Sequence, residues 1–288
     1  MLSNLSKRYT CKMKTVITSD SVSTNYWKDL WNYRGLFYFL AWRDVLVRYK
    51  QTVIGIAWSL LRPLLTIAVF WFVGWLFHIP DQGVPRILLV TAATLPWQFF
   101  STAFSESANS LIANSNLLTK VYFPRIIVPA STLIVALIDF LITFCILLLM
   151  MILLQFNPGF NVLLMPLFLL LALITAAGSG LLIAALNVKY RDFRYVIPFV
   201  IQFGLYISPV AFSSNDIYNS QQLPSLLKFL YALNPMVGVI DGFRWCLLGG
   251  AVEINLTGFI ISVGISLLLL ITGIWYFRKT ERHFADVI

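Results

Sequence analysis

The residues able to carry covalent chemistry in this chain are few, and their spacing does not suit it. No GxxxxGK[ST] phosphate loop, HExxH zinc helix or GxSxG nucleophile turn occurs. His78 and His283 lie far apart in the chain, and Cys11, Cys145 and Cys246 make neither a disulfide framework nor a metal set. The acids outside the apolar runs at the less basic end, Asp81, Asp216, Asp241 and Glu253, form no paired-carboxylate cluster. No catalytic residue, metal or cofactor is expected, and an enzyme is disfavoured.

What remains is polar chemistry of a different kind. Arg62, Glu106 and Asp139 interrupt or border long apolar runs, where a charge is expensive and must be paired, face a cavity or snorkel to headgroups. Tyr195, Phe199, Phe203 and Tyr206 follow the spacing i, i+4, i+8, i+11, one continuous stripe along a helix. Aromatic faces suit the C–H side of sugar rings, and a tyrosine adds a polar handle. Core packing or an interfacial belt would use the same residues.

The elements that must hold these groups are membrane elements. The 288 residues are 59% hydrophobic and 11% charged, against about 45–50% and about 25% in soluble domains. Six runs approach the length of about 20 residues needed to cross a bilayer: 54–77, 87–104, 126–154, 162–186, 195–212 and 256–277. Backbone groups in lipid must be satisfied internally, so the expected fold is an all-α integral membrane protein with six transmembrane helices. All Lys and Arg except Arg86, Lys228 and Arg244 fall on one side of this arrangement. The positive-inside rule therefore puts both termini in the cytoplasm, and the net charge of +9 reflects topology rather than nucleic-acid binding.

Four regions follow: a polar arm over 1–25, expected to be disordered; an amphipathic segment over 26–50; the membrane domain over 51–279; and a cytoplasmic tail over 280–288. In the second region Trp27, Leu30, Trp31, Phe37 and Leu40 recur near helical spacing. That pattern suits a helix lying in the membrane interface, broken near Gly35, or a helix packed on protein. Between the fifth and sixth runs, residues 223–250 are apolar but interrupted by Pro224, Pro235, Gly238 and Gly242. Neither half is long enough to cross. Two re-entrant helices or a surface cap would fit.

Four stretches in order, "RDVLVRYKQTVIGIAWSLLRPLL", "LLTKVYFPRIIVPAS", "YRDFRYVIPFVIQFGLYISPVAFS" and "LNPMVGVIDGFRW", resemble the permease subunits of ABC transporters that export polysaccharides. The O-antigen type is the nearest, with teichoic-acid and capsule exporters related. The resemblance implies a bacterial inner-membrane homodimer driven by two copies of a separate ATPase subunit, moving a polysaccharide linked to undecaprenyl diphosphate. It implies coupling to the ATPase through a helix over 116–125, with Asn116, Leu117, Leu118, Thr119, Lys120, Val121, Tyr122 and Arg125, and a second contact at Lys189, Arg191 and Asp192. The substrate path would be lined by Trp58, Arg62, Trp71, Trp75, Phe199, Phe203 and Tyr206. Trp27, Trp31, Arg43, Arg48 and Lys50 would admit the lipid carrier, and the segment holding Pro224, Pro235, Gly238 and Gly242 would be the outer gate.

Overall fold

The computed structural model describes residues 26–50, 55–78, 83–190, 192–250 and 254–284, without the side chains of 55–59 and 283. The arm over 1–25, Arg191 and the Trp58 side chain lie outside the described residues. Within them the fold is helical, with no strand. The helices are α1 Tyr26–Asn32, α2 Arg34–Lys50, α3 Gly55–Leu76, α4 Arg86–Ala113, α5 Ser115–Lys120, α6 Ile127–Leu153, α7 Met165–Lys189, α8 Phe193–Ile207, α9 Ser214–Asn219, α10 Ser225–Ala232, α11 Pro235–Leu247 and α12 Leu256–Thr280.

Among the described residues, α4, α6, α7 with its leading 3-10 turn, and α12 are long and apolar enough to cross a membrane. The first and fifth expected spans are shorter: the apolar stretches are Leu60–Leu76 in α3 and Phe193–Ile207 in α8. The fifth run was expected to continue through Phe212. It stops at Ile207 because Pro209 follows almost at once and cannot continue a helical hydrogen-bond ladder. Fifteen residues give α8 a length of about 22 Å, short of a hydrocarbon core of about 30 Å. The second run, by contrast, extends beyond Phe104 to Ala113.

That extension makes α4 the central helix. Its apolar stretch is 83% buried within the chain, against 28% for α6 and 22% for α12. Small residues explain the burial: Ala92, Ala93, Ala103, Ser107 and Ala108 let neighbouring backbones approach. Ser107 sits where a Cβ on Gly180 of α7 would come within 2.8 Å of its Cβ. The α7–α12 crossing is closer still. A Cβ on Gly178 would lie 2.5 Å from Leu270 N, and one on Gly273 would lie 2.2 Å from Gly178 O. One turn before Gly178, Thr175 and Ser266 join by a buried hydroxyl–hydroxyl bond of 2.8 Å.

Apolar side chains collect in two clusters. The larger runs along α4, α6, α7 and α11 and includes Leu88, Phe99, Phe140, Phe168 and Phe243. The smaller lies at the basic end and gathers Leu40, Leu111, Leu118, Phe123, Leu181, Phe277 and Phe284. The smaller cluster joins both ends of the described chain to the α4–α6 connection.

Candidate functional site

The α4–α6 connection forms a compact elbow. Its helix, α5, ends at Lys120, because Val121 is already extended (φ −129°, ψ 134°). The expected helix over 116–125 is thus half as long, and it stops before Pro124 rather than at it. The two adjacent leucines serve the fold: Leu118 is 4% exposed in the basic-end core, and Leu117 packs against the same cluster. Arg125 also points inward, its backbone N–H donating to Glu281 Oε1 at 2.6 Å. What the elbow leaves outside is Asn116, Thr119, Lys120, Val121 and Tyr122, the last 68% exposed. The elbow thus sets an exposed aromatic tip over a buried apolar anchor. Lys189 and Asp192, flanking the α7–α8 turn, are exposed as well, and Lys189 lies over the Tyr190 ring at 5.0 Å.

The N-terminal helices lie beside this elbow. The break between α1 and α2 falls at Tyr33, two residues before the expected Gly35, and α2 runs on unbroken to Lys50. It buries Leu40 and Ala41 while Tyr38, Phe39 and Trp42 stay more than half exposed. Trp27 and Trp31 are exposed on α1, and Arg34 caps the Trp31 ring at 5.5 Å. An open groove of ≈ 530 Å³ follows α2, lined by Phe39, Trp42, Arg43, Leu46, Val47 and Lys50. Its floor is apolar, and Arg43 and Lys50 are the cations lining it.

Two of the basic residues expected to meet a phosphate already have carboxylate or amide partners. Arg43 donates to Asp44 Oδ1 at 2.7 Å and to Asn114 Oδ1 at 2.8 Å. Arg48 pairs with Asp139 Oδ2 at 2.7 Å and with Glu106 Oε1 at 3.3 Å. The Tyr49 hydroxyl donates to the other Asp139 oxygen. The two acids are therefore explained together: they fix α2 against α4 and α6. Sequence reasoning singled out Glu106, Asp139 and Arg48 but did not join them. A lone Asp deep in an apolar run demands a cation, and that demand was the available signal.

On α3 and α8 the described aromatics other than Phe70 and Phe193 face out of the chain. Trp71 and Trp75 are 43% and 59% exposed, and Arg62 is exposed. The α8 stripe is as expected on one face: Tyr195, Phe199, Phe203 and Tyr206 are each more than half exposed, with the Phe199 and Phe203 rings 4.2 Å apart. The opposite face of α8 holds it to α4, through buried Ile197 and through Gly204, where a Cβ would meet the Trp97 ring at 2.5 Å.

At the far end, α10 and α11 form a bent pair at 77°. Pro224 and Pro235 start these helices rather than break them: Pro224 caps α10, and Pro235 opens α11 behind Asn234, whose side chain accepts from Met236 N at 3.0 Å. Gly238 and Gly242 lie inside α11 at close crossings, one against Ser262 of α12 and the other against the Phe168 ring of α7. Arg244, which the sequence placed only by its side of the arrangement, has a structural role. It is 4% exposed and donates to the carbonyls of Phe212 (2.7 Å), Val210 (2.9 Å) and Leu89 (3.4 Å), tying α11 to α4 and to the loop after α8.

Residues 35–248 match the family model described as "ABC-2 type transporter". Two O-antigen export system permease proteins RfbA of Klebsiella pneumoniae are each 26% identical over 250 residues, covering 85% of this chain and 92% of the relative. An O-antigen export system permease protein RfbA of Myxococcus xanthus is 27% identical over 218 residues, covering 75% and 82%. With its several membrane-length apolar helices, the chain is a multi-pass membrane protein, and it belongs to the ABC-2 type transporter family.

Proposed function

We propose that this chain is the transmembrane subunit of an ATP-driven exporter that moves a lipid-linked polysaccharide of the O-antigen class out of a bacterial cytoplasm. The similarity to O-antigen export permeases supports the substrate class. The observation that carries the transport reading is the pair of uncovered aromatic faces on α3 and α8. In lipid, aliphatic side chains suffice to cover a helix; rings bearing hydroxyls and indole N–H groups suit a path for sugars. Two copies, with α3 and α8 of each turned toward the other, would enclose such a path.

In this arrangement α3 and α8 act as the first and fifth of six spans, and both termini lie in the cytoplasm of a cell whose inner membrane holds the protein. Two copies of an ATP-binding subunit supply the work, and the elbow tip from Asn116 to Tyr122 is their docking contact, with Lys189 and Asp192 beside it. The α2 groove receives the lipid carrier, its apolar floor taking the polyprenyl chain and Lys50 attracting the diphosphate. The bent α10–α11 pair closes the outer end as a re-entrant gate.

Reconstitution tests the whole reading. Vesicles holding this chain alone translocate no undecaprenyl-diphosphate-linked glycan when ATP is added, whereas vesicles holding the chain with its ATPase do. Sustained ATP-driven transport by the chain alone would refute the proposal.

A further inference from the structure

The basic end contains a half-buried acid with no part in the transport reading. Glu281 opens the 3-10 turn Glu281–His283 that follows α12. Its two carboxylate oxygens are divided between distant parts of the chain. Oε1 accepts the Arg125 backbone N–H at 2.6 Å, and Oε2 accepts the Tyr26 hydroxyl at 3.1 Å. The Glu281 carbonyl accepts from the Arg125 guanidinium. Arg278 lies over the Tyr26 ring at 4.6 Å, and Arg125 lies over the Phe284 ring at 5.9 Å.

Burial pushes the Glu281 carboxyl above its ordinary range, opposed by the Arg125 N–H, the Tyr26 hydroxyl and the charges of Arg125 and Arg278. A carboxylate removed from water in this way is held only while its hydrogen bonds persist. The stretches it joins are the ones that would transmit force. Arg125 stands between the exposed elbow tip and α6. Tyr26 begins α1, which leads through Tyr33 into the interfacial α2. Glu281 itself continues α12.

We propose that Glu281 is a positioning residue that locks the elbow to α1 and to the end of α12, so that a push at Lys120–Tyr122 carries all three as one body. The inference rests on the reading that the elbow docks on the ATPase. It does not rest on substrate contact.

The test uses the complete transporter in vesicles of phosphatidylethanolamine and phosphatidylglycerol, measuring ATP hydrolysed and glycan translocated per assembled complex. Glu281→Ala lowers glycan moved per ATP by about tenfold, the equilibrium factor carried by one hydrogen bond to a charged group. Co-purification of the ATPase stays at the wild-type level. Tyr26→Phe, which removes one hydroxyl, gives a smaller fall in the same ratio and serves if Glu281→Ala does not accumulate. An unchanged ratio in either variant overturns the proposal. So does a loss of hydrolysis and export in equal proportion, which marks a purely structural role. The docking reading fails separately, if Val121→Ala with Tyr122→Ala leaves ATPase co-purification intact.

Discussion

The Arg48–Asp139 pair offers the sharpest energetic test. At 2.7 Å, two unit charges interact by about 6 kcal/mol at an effective dielectric of about 20. Desolvation offsets much of this, and the side chains retain 30% and 16% exposure. Deleting one member of a fully buried pair costs about 3–5 kcal/mol. Here Glu106 remains 3.3 Å from Arg48, so a single deletion should cost about 2–3 kcal/mol, with a coupling energy of about 1–2 kcal/mol. The perturbations are Arg48→Met, Asp139→Asn and the double variant, and the assay is reversible unfolding in mixed micelles. The double variant should be less destabilised than the sum of the singles by that coupling energy. Additivity within about 0.5 kcal/mol would refute the pair as a latch. Because the same pair sets how α2 meets α4 and α6, both singles should also lower export, with partial recovery in the double.

The elbow separates two roles in adjacent residues. Val121→Ala with Tyr122→Ala should reduce ATPase co-purification without loss of protein, whereas Leu118→Ala should destabilise the chain by about 2–5 kcal/mol, as for other buried leucines, read as a lower unfolding midpoint. Phe203→Ala with Tyr206→Ala removes two ring faces worth about 0.5–1.5 kcal/mol each, so surface glycan should fall roughly tenfold at unchanged complex assembly; normal glycan would return the stripe to a packing role. Gly273→Ala, whose Cβ would lie 2.2 Å from Gly178 O, should cost about 1–3 kcal/mol, while Gly264→Ala, with nothing within 4 Å, should be neutral or stabilising in the same unfolding measurement. Lys50→Glu, reversing an exposed charge at the α2 groove, should slow transport of the lipid-linked glycan while ATPase co-purification persists.

The legible part of this fold was what lipid alone dictates. The third run, expected over 126–154, forms α6 over Ile127–Leu153, close to the bounds its apolar length sets. Legibility failed where a distant neighbour decides. Leu117, Leu118, Val121 and Tyr122 are alike in apolar character, yet two are drawn under the elbow by Phe277, Phe284 and Leu181, which come from α12, its tail and α7. Asp139 announced a missing cation without naming it, since Arg48 approaches from a helix outside the membrane runs. Pro209 was visible within the fifth run, but the apolar Val210, Ala211 and Phe212 beyond it disguised the helix end. The α8 stripe could be read because a helical period needs no neighbour to define it.

The packing also decides where the protein can change shape. Along α4, α7 and α12 the contacts leave no slack: Gly178 and Gly273 touch backbone to backbone, and Thr175 and Ser266 share a buried bond. Sliding these helices would break that bond and separate surfaces with no room to repack. Arg244 extends the same body to the outer end by holding three carbonyls at once. At the inner end, Arg48 and Glu281 fasten α2, the elbow and the α12 tail to it. By contrast α8 buries Ile197 alone, and most of the described part of α3 beyond Pro63, Ile67 and Gly74 is uncovered. In the proposed dimer, a path that must widen for a polymer would therefore open most easily along the aromatic faces, between one copy and the next. On the proposed reading, an ATPase pressing on the elbow would tilt each chain as a rigid unit, and the work would go into parting those faces rather than into unpacking a core.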